Sequence, residues 1–426
     1  MLKMPGVFAF LMGPPPIFDD DTQFQASDYQ RKNQQDKQVI LHNCNNIIIC
    51  TRSHHSIFRF GNNTAKIQYF RMMSENKREH GYVRYAEIIF STKRKRIQTF
   101  CVLLPPQNYN PMKKMNIPLM GTLLILSIVV CPMLYFTVGP TLDEAQLEVL
   151  KILGIIVSCS AAFCFIVGEL TGNNSQMDKL WSLLPIVYTW VIAVKGGMSA
   201  RLVVMAVLAT LWGLRLTMNF ARKGAYKLKF WEGEEDYRWA ILRSGPPFQK
   251  RWVWALFDLF FISIYQNVLV LMTTFPALVA MGSDKPFGWL DAVATVLMLG
   301  FIIWETVADE QQWKFQTRKW AMIKEGKKLE ELPAPYNKGF NTTGLWGRSR
   351  HPNYFAEQSI WVCFYLFSIA AGIGILNWSV IGALLLVVLF QGSSSLAEEI
   401  SGGKYPEYDK YCQSVPRFFP GKKYEM

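Results

Sequence analysis

Eight apolar segments, most of them close to bilayer-crossing length, constrain this chain more than any other feature. They run 116–138, 147–168, 180–195, 200–216, 254–280, 287–308, 358–375 and 377–391. A helix needs roughly 20 apolar residues to cross a hydrocarbon core of about 30 Å. Inside lipid each backbone N–H and C=O must be satisfied within the chain, which favours helices for segments this long. The pattern predicts an all-α, polytopic membrane bundle of about eight transmembrane helices. The third, fourth and eighth segments are short and are expected to tilt or re-enter. Charged residues are 18% of the chain, against about 25% in average soluble proteins. That deficit opposes a soluble helical protein.

Residues 1–113 differ from the rest of the chain. They mix Gln, Asn, charges and short β-prone runs without sustained periodicity. They read as a polar, basic, mostly disordered N-terminal extension, with a small soluble module as the alternative. Residues 114–426 form the membrane domain. The extension holds 16 Lys+Arg against 8 Asp+Glu, most of the excess in a net charge of +13. Lys93-Arg94-Lys95-Arg96 suits a membrane-proximal basic cluster, and no zinc-finger or RNP-like pattern accompanies it, so no nucleic-acid partner is expected.

The loops 217–253 and 309–357 are rich in Lys and Arg, whereas 139–146 and 281–286 are short and nearly free of them. The positive-inside rule then places both termini and both large loops in the cytosol. The eight cysteines show no CxxC, and the five histidines offer no paired metal site, so no metal is expected. GxGxxG, Walker, GxSxG and HExxH motifs are missing.

Polar clusters sit where apolar segments end. The densest is Gly344-Leu345-Trp346-Gly347-Arg348-Ser349-Arg350-His351-Pro352-Asn353-Tyr354-Phe355-Ala356-Glu357. Proline suits the first turn of a helix starting near Pro352, and amides at such a start favour an anion. Arg350 is a forked donor suited to phosphate. Trp346 and Tyr354 offer flat faces for a base or nicotinamide ring. Interfacial anchoring explains Trp, Tyr and Arg singly, but it demands neither Asn353 nor Glu357 beside His351. Upstream, Asp309-Glu310-Gln311-Gln312 continues to Gln316, and Gln312 and Gln316 share a helical face; a solvated helix extension is the plainer account. In the tail, Glu398-Glu399, Tyr405 and Tyr411 could clamp a sugar or base edge, or form a surface helix on the bilayer. Glu169 and Asp178 flank the junction of the second and third segments, and Tyr188 lies inside the third, where packing is its ordinary role.

Several of these residues together resemble a known family. Asp178-Lys179-Leu180-Trp181-Ser182 with Pro185, Trp212-Gly213-Leu214-Arg215-Leu216, the Gly344–Phe355 run, and Glu398-Glu399 with Tyr405-Pro406 and Tyr411 look like the DUF1295 membrane proteins. These belong to the steroid 5-alpha-reductase C-terminal superfamily, related to sterol C14/C7 reductases and isoprenylcysteine methyltransferases. The resemblance covers about 165–421. It implies NADPH as cofactor, held in a half spanning about 287–421, with Trp346, Arg350, Asn353, Tyr354, Tyr405 and Tyr411 at matching positions. Gln312 and Gln316 stand where the sterol reductases place Lys and Arg. The implied activity is NADPH-dependent reduction of a carbon–carbon double bond in a steroid-like or other lipid enone drawn from the bilayer, in the endoplasmic reticulum. Tyr188, Asp178, Glu169 and Tyr354 are the candidate proton donors. The methyltransferase branch keeps S-adenosylmethionine as an alternative cofactor, and a non-catalytic sterol-binding protein is the third reading.

Overall fold

The structure, a computed structural model, describes four strands within 55–104, residues 129–130, 133–135, 137–422 and residue 424. The chain divides into two compact units, one of them residues 21–110. Most of the extension expected to be disordered lies outside the described residues. Its described part is a four-stranded antiparallel sheet, β1 (His55–Phe60), β2 (Asn63–Met72), β3 (Val83–Ser91) and β4 (Ile97–Leu104), paired in chain order. The register sets Phe58 opposite Ala65 and Ile67 opposite Ile88. This is the local pairing that short connections favour.

From residue 129 onward the described chain is helical, as expected. The helices are α1 (Glu144–Thr171), α2 (Gln176–Trp181), α3 (Leu184–Lys195), α4 (Ala200–Ala221), α5 (Tyr237–Ser244), α6 (Arg251–Phe257), α7 (Gln266–Thr273), α8 (Phe275–Ala280), α9 (Trp289–Lys324), α10 (Pro352–Ala370), α11 (Ile381–Lys404) and α12 (Tyr408–Ser414). A π-helical stretch, Asp258–Tyr265, joins α6 to α7.

Six continuous stretches among the described residues are long and apolar enough to cross a membrane: 144–171, 176–195, 200–221, 251–280, 289–324 and 378–404. They correspond to the second to sixth and the eighth expected segments. The seventh is α10, whose polar first turns keep it outside that set. The first segment, 116–138, falls mostly outside the described residues. Apolar side chains such as Ile155, Ile166 and Val296 stay exposed on these helices, as lipid-facing residues do.

Local chemistry explains where the helices begin and end. Asp143 caps α1: its Oδ1 accepts the Gln146 N–H at 2.7 Å, and Gln146 Oε1 accepts the Asp143 N–H at 3.0 Å. That reciprocal bond satisfies two donors left open at a helix start. Gly172 ends α1 at φ 70°, a backbone state glycine adopts without strain. The turn between α10 and α11 is held by Asn377. Its buried amide accepts from Ser379 N–H at 3.2 Å and donates to Ser368 Oγ at 3.1 Å.

Helices α4 and α9 run parallel, matched at two levels. Arg201 meets Asp291 near their starts, and Arg215 meets Glu305 fourteen residues further along both, about 21 Å of helix. At the first level Arg201 Nε and Nη2 reach the two Asp291 oxygens at 2.7 and 2.9 Å, and its Nη1 and Nη2 also donate to the carbonyls of Lys285 and Pro286.

Candidate functional site

Around the second level lies a cavity of about 590 Å³. Its wall includes α4, the segment after it, the π stretch, α9, residues 340–346, the start of α10, α11 and α12. The sequence-singled residues Asp178, Gln312, Trp346, Arg350, His351, Asn353, Tyr354, Glu357 and Tyr411 all line it. The motif before α10 and the tail helix therefore do share one cavity.

Two of the proposed catalytic groups are elsewhere. Glu169 pairs with Arg251 at 2.9 Å, outside the cavity wall. Tyr188 is fully buried, does not line the cavity, and its hydroxyl has no hydrogen-bond partner among the described residues. Gln316, Glu398 and Tyr405 are also outside the wall. Tyr405 packs its ring under the buried Lys319 ammonium, 5.6 Å from the ring centre, and closes over Gly339, where a Cβ would fall 2.1 Å from the ring.

Arg350 is not laid out as the sequence suggests. Its Nε donates to Glu398 Oε1 at 2.7 Å, and its Nη1 donates to the carbonyls of Cys412 and Val415 at 2.7 and 2.5 Å. Glu398 also meets His351 Nε2 at 3.1 Å and Arg417 Nη2 at 2.8 Å. Backbone bonds strengthen the junction: Arg350 N–H to Pro416 O, His351 N–H to Arg417 O, and Gly421 N–H to Arg348 O, at 2.9, 3.0 and 2.8 Å. Arg350 and Glu398 thus clasp the tail onto the start of α10. Burial holds the His351 imidazole below its ordinary value, against the opposing pull of Glu398. The ring stacks on Tyr354 with centroids 5.2 Å apart and planes within 10°.

Residues not singled out from sequence supply much of the wall's polarity. Lys223, Asp236 and Asn341 line the cavity from loops, and Arg238 from the first turn of α5. Arg238 grips Asp236 with both ends of its fork, at 2.7 and 3.0 Å. Burial works to raise the Asp236 carboxyl, but Arg238 carries it below the usual range. Lys223 is only half-buried, yet its surroundings depress its ammonium to about 8, with desolvation the main cause. An ammonium there is easily neutralised and gains from an anionic partner.

Deeper in the bundle, Arg215 Nη1 meets Glu305 Oε1 at 2.7 Å, and its Nη2 meets Asp309. Asp309 accepts further bonds from Asn219 at 2.9 Å and Asn353 at 3.2 Å. Glu357 accepts the indole N–H groups of Trp212 at 2.6 Å and Trp361 at 3.3 Å. Those two rings meet edge to face at 4.9 Å. Glu305, Asp309 and Glu357 all line the cavity. Three buried polar atoms of wall residues have no hydrogen-bond partner among the described residues: Gln312 Oε1, Asn341 Nδ2 and Glu305 Oε2. Orphaned polar atoms are costly in a closed core, so three in one wall mark where a polar ligand would be satisfied. No group of His, Cys, Asp and Glu suited to a metal occurs among the described residues.

The family model described as a protein of unknown function, DUF1295, matches residues 164–415. An uncharacterized protein of Schizosaccharomyces pombe is 39% identical over 264 residues, covering 59% of this chain and 73% of that protein. No solved structure matches.

Proposed function

The chain belongs to the DUF1295 family, and from that premise we propose that the cavity holds NADPH and that the protein reduces a carbon–carbon double bond in a steroid-like or other lipid enone. The observation that supports this most is the joint cavity: ring faces, cations and orphaned amides from the α10 start, α9 and the tail line one space. Its wall fits a long ligand of mixed character. Gln312 and Asn341 offer an acceptor and a donor to amide or sugar edges. Trp346 is fixed by its own indole bond to Ala308 O at 2.8 Å, so its ring is a preset stacking face. Lys223 lines the cavity as a cation that a phosphate would meet. Leu216, Phe220, Phe257, Phe261 and Leu389 supply apolar wall for a lipid.

When bound, NADPH supplies a hydride. The protein's part is to hold the two reactants together, exclude bulk water, and provide a proton. Asp178 and Tyr354 remain candidates for that proton because both reach the cavity. The basic loops orient its entrance toward the cytosol under the positive-inside rule, in keeping with an endoplasmic-reticulum enzyme. Titrating purified protein with NADPH and with S-adenosylmethionine tests this reading. Saturable NADPH binding, weakened in Lys223→Met and Gln312→Ala, is expected; binding of S-adenosylmethionine alone overturns it. Mass spectrometry of membrane lipids with and without the protein would identify the substrate by a gain of two hydrogens.

A further inference from the structure

The Arg215 cluster contains more acid than one guanidinium can balance. Glu305, Asp309 and Glu357 are each 4% exposed or less. Ionising all three would leave two buried negative charges after Arg215, and the half-buried Lys223 near Asp309 offsets at most one more. The geometry shows where a proton relieves this. Arg215 holds Glu305, and Trp212, three residues earlier on α4, holds Glu357, so one turn of α4 brings the two carboxyls together. Ionised carboxylates are acceptors only, so a hydrogen bond between two of them needs a proton. Two such groups held together do not both ionise readily.

The individual oxygens assign the proton further. Each oxygen of Glu357 already accepts an indole N–H, from Trp212 and Trp361. Glu305 Oε1 faces Arg215. Glu305 Oε2 has no donor among the described residues, and Glu305 lines the cavity. Trp212 and Arg215 approach from α4, Glu357 and Trp361 from α10, and Asp309 from α9 itself.

We propose that Glu305 and Glu357 share one proton and that Glu305 is the catalytic acid that delivers it to the lipid. The inference rests on the reductive reading of the cavity and names its proton donor. The Oε2–H bond of Glu305 breaks, leaving its electron pair on oxygen. The π pair of the alkene forms the new C–H bond with that proton at the carbon next to the carbonyl. A bound NADPH would supply the hydride, and with it the two electrons, for the other alkene carbon. Water entering the cavity returns a proton to the carboxylate. Arg215 and the two indoles are positioning residues: they fix which oxygens remain available.

The test is infrared spectroscopy of the purified full chain in H2O and D2O, run beside NADPH titration. A protonated-carboxyl band that shifts in D2O is expected in the wild type and should vanish in both Glu305→Gln and Glu357→Gln. Glu305→Asp, which keeps a carboxyl, should retain it and reads the same point if an amide variant fails to fold. NADPH affinity of Glu305→Gln should change by less than about threefold, while NADPH oxidation with a total membrane-lipid extract falls by about a hundredfold or more. A wild type lacking the band, a band surviving both amide substitutions, or undiminished oxidation in Glu305→Gln overturns the proposal. Wild-type protein that binds no NADPH overturns the cofactor reading itself, and the donor role with it. Binding without the band overturns the carboxyl pair alone.

Discussion

Helices α4 and α9 meet at two ionic levels, and the levels have opposite character. At the first, one arginine faces one aspartate, and both are saturated: Arg201 also reaches backbone carbonyls, and Asp291 Oδ2 accepts the Gly288 N–H at 2.8 Å. At the second, Arg215 serves two acids with a third alongside, and one buried oxygen is left without a donor among the described residues. Both sit on the same helices at the same spacing. The difference is stoichiometry. A balanced, fully bonded pair holds helices together, whereas an unbalanced one keeps a group whose needs only a proton or a ligand can meet.

Breaking the first level should have the largest effect. Asp291→Ala strands the buried Arg201, and a loss of about 3–5 kcal/mol is expected for half of a buried pair. Denaturant or thermal unfolding in detergent would measure it, and the remaining folded protein should bind NADPH with unchanged affinity. Near the second level, Lys223→Met should weaken NADPH binding about tenfold, equivalent to about 1.4 kcal/mol, with little change in unfolding. Its ammonium is charged below about 8 and neutral above. Wild-type affinity should therefore hold from mildly acidic pH to about 8 and decline above it; titration at several pH values should show that decline flattened in the variant.

Smaller still is the stability cost of Glu305→Gln. An amide oxygen can still accept from Arg215, which keeps Asp309, so the expected change is within about 1 kcal/mol by unfolding. A cost as large as that of Asp291→Ala would make the second level a mere staple and erase the contrast. The smallest effect belongs to Tyr188→Phe. Removing a buried hydroxyl with no partner should leave stability within about 0.5 kcal/mol or raise it. Turnover should also persist, and its loss would return Tyr188 to the mechanism.

The helical bundle was legible because apolar length along the chain is a one-dimensional signal. The grouping of the α10 motif on one cavity wall was legible because Trp346, Asn353, Tyr354 and Glu357 are neighbours in sequence as well as in space. The pairing of Arg350 was not legible: its partner Glu398 lies 48 residues away, and only folding shows it. Lys223 and Asn341 were missed because loop residues carry no periodicity, and Arg238 because it stands in a helix of only eight residues. Glu305 had a signal. It is an acid inside the apolar segment 287–308, and an acid at membrane depth marks function by default.

The clasp between residues 348–351 and 416–421 has a consequence in time. The carbonyls that Arg350 and His351 bind through their backbone N–H groups belong to Pro416 and Arg417. A nascent chain still emerging from the ribosome has inserted its long helices before those partners exist. The wall that this clasp closes is therefore completed after the long helices are in place, once residues 416–421 have been made.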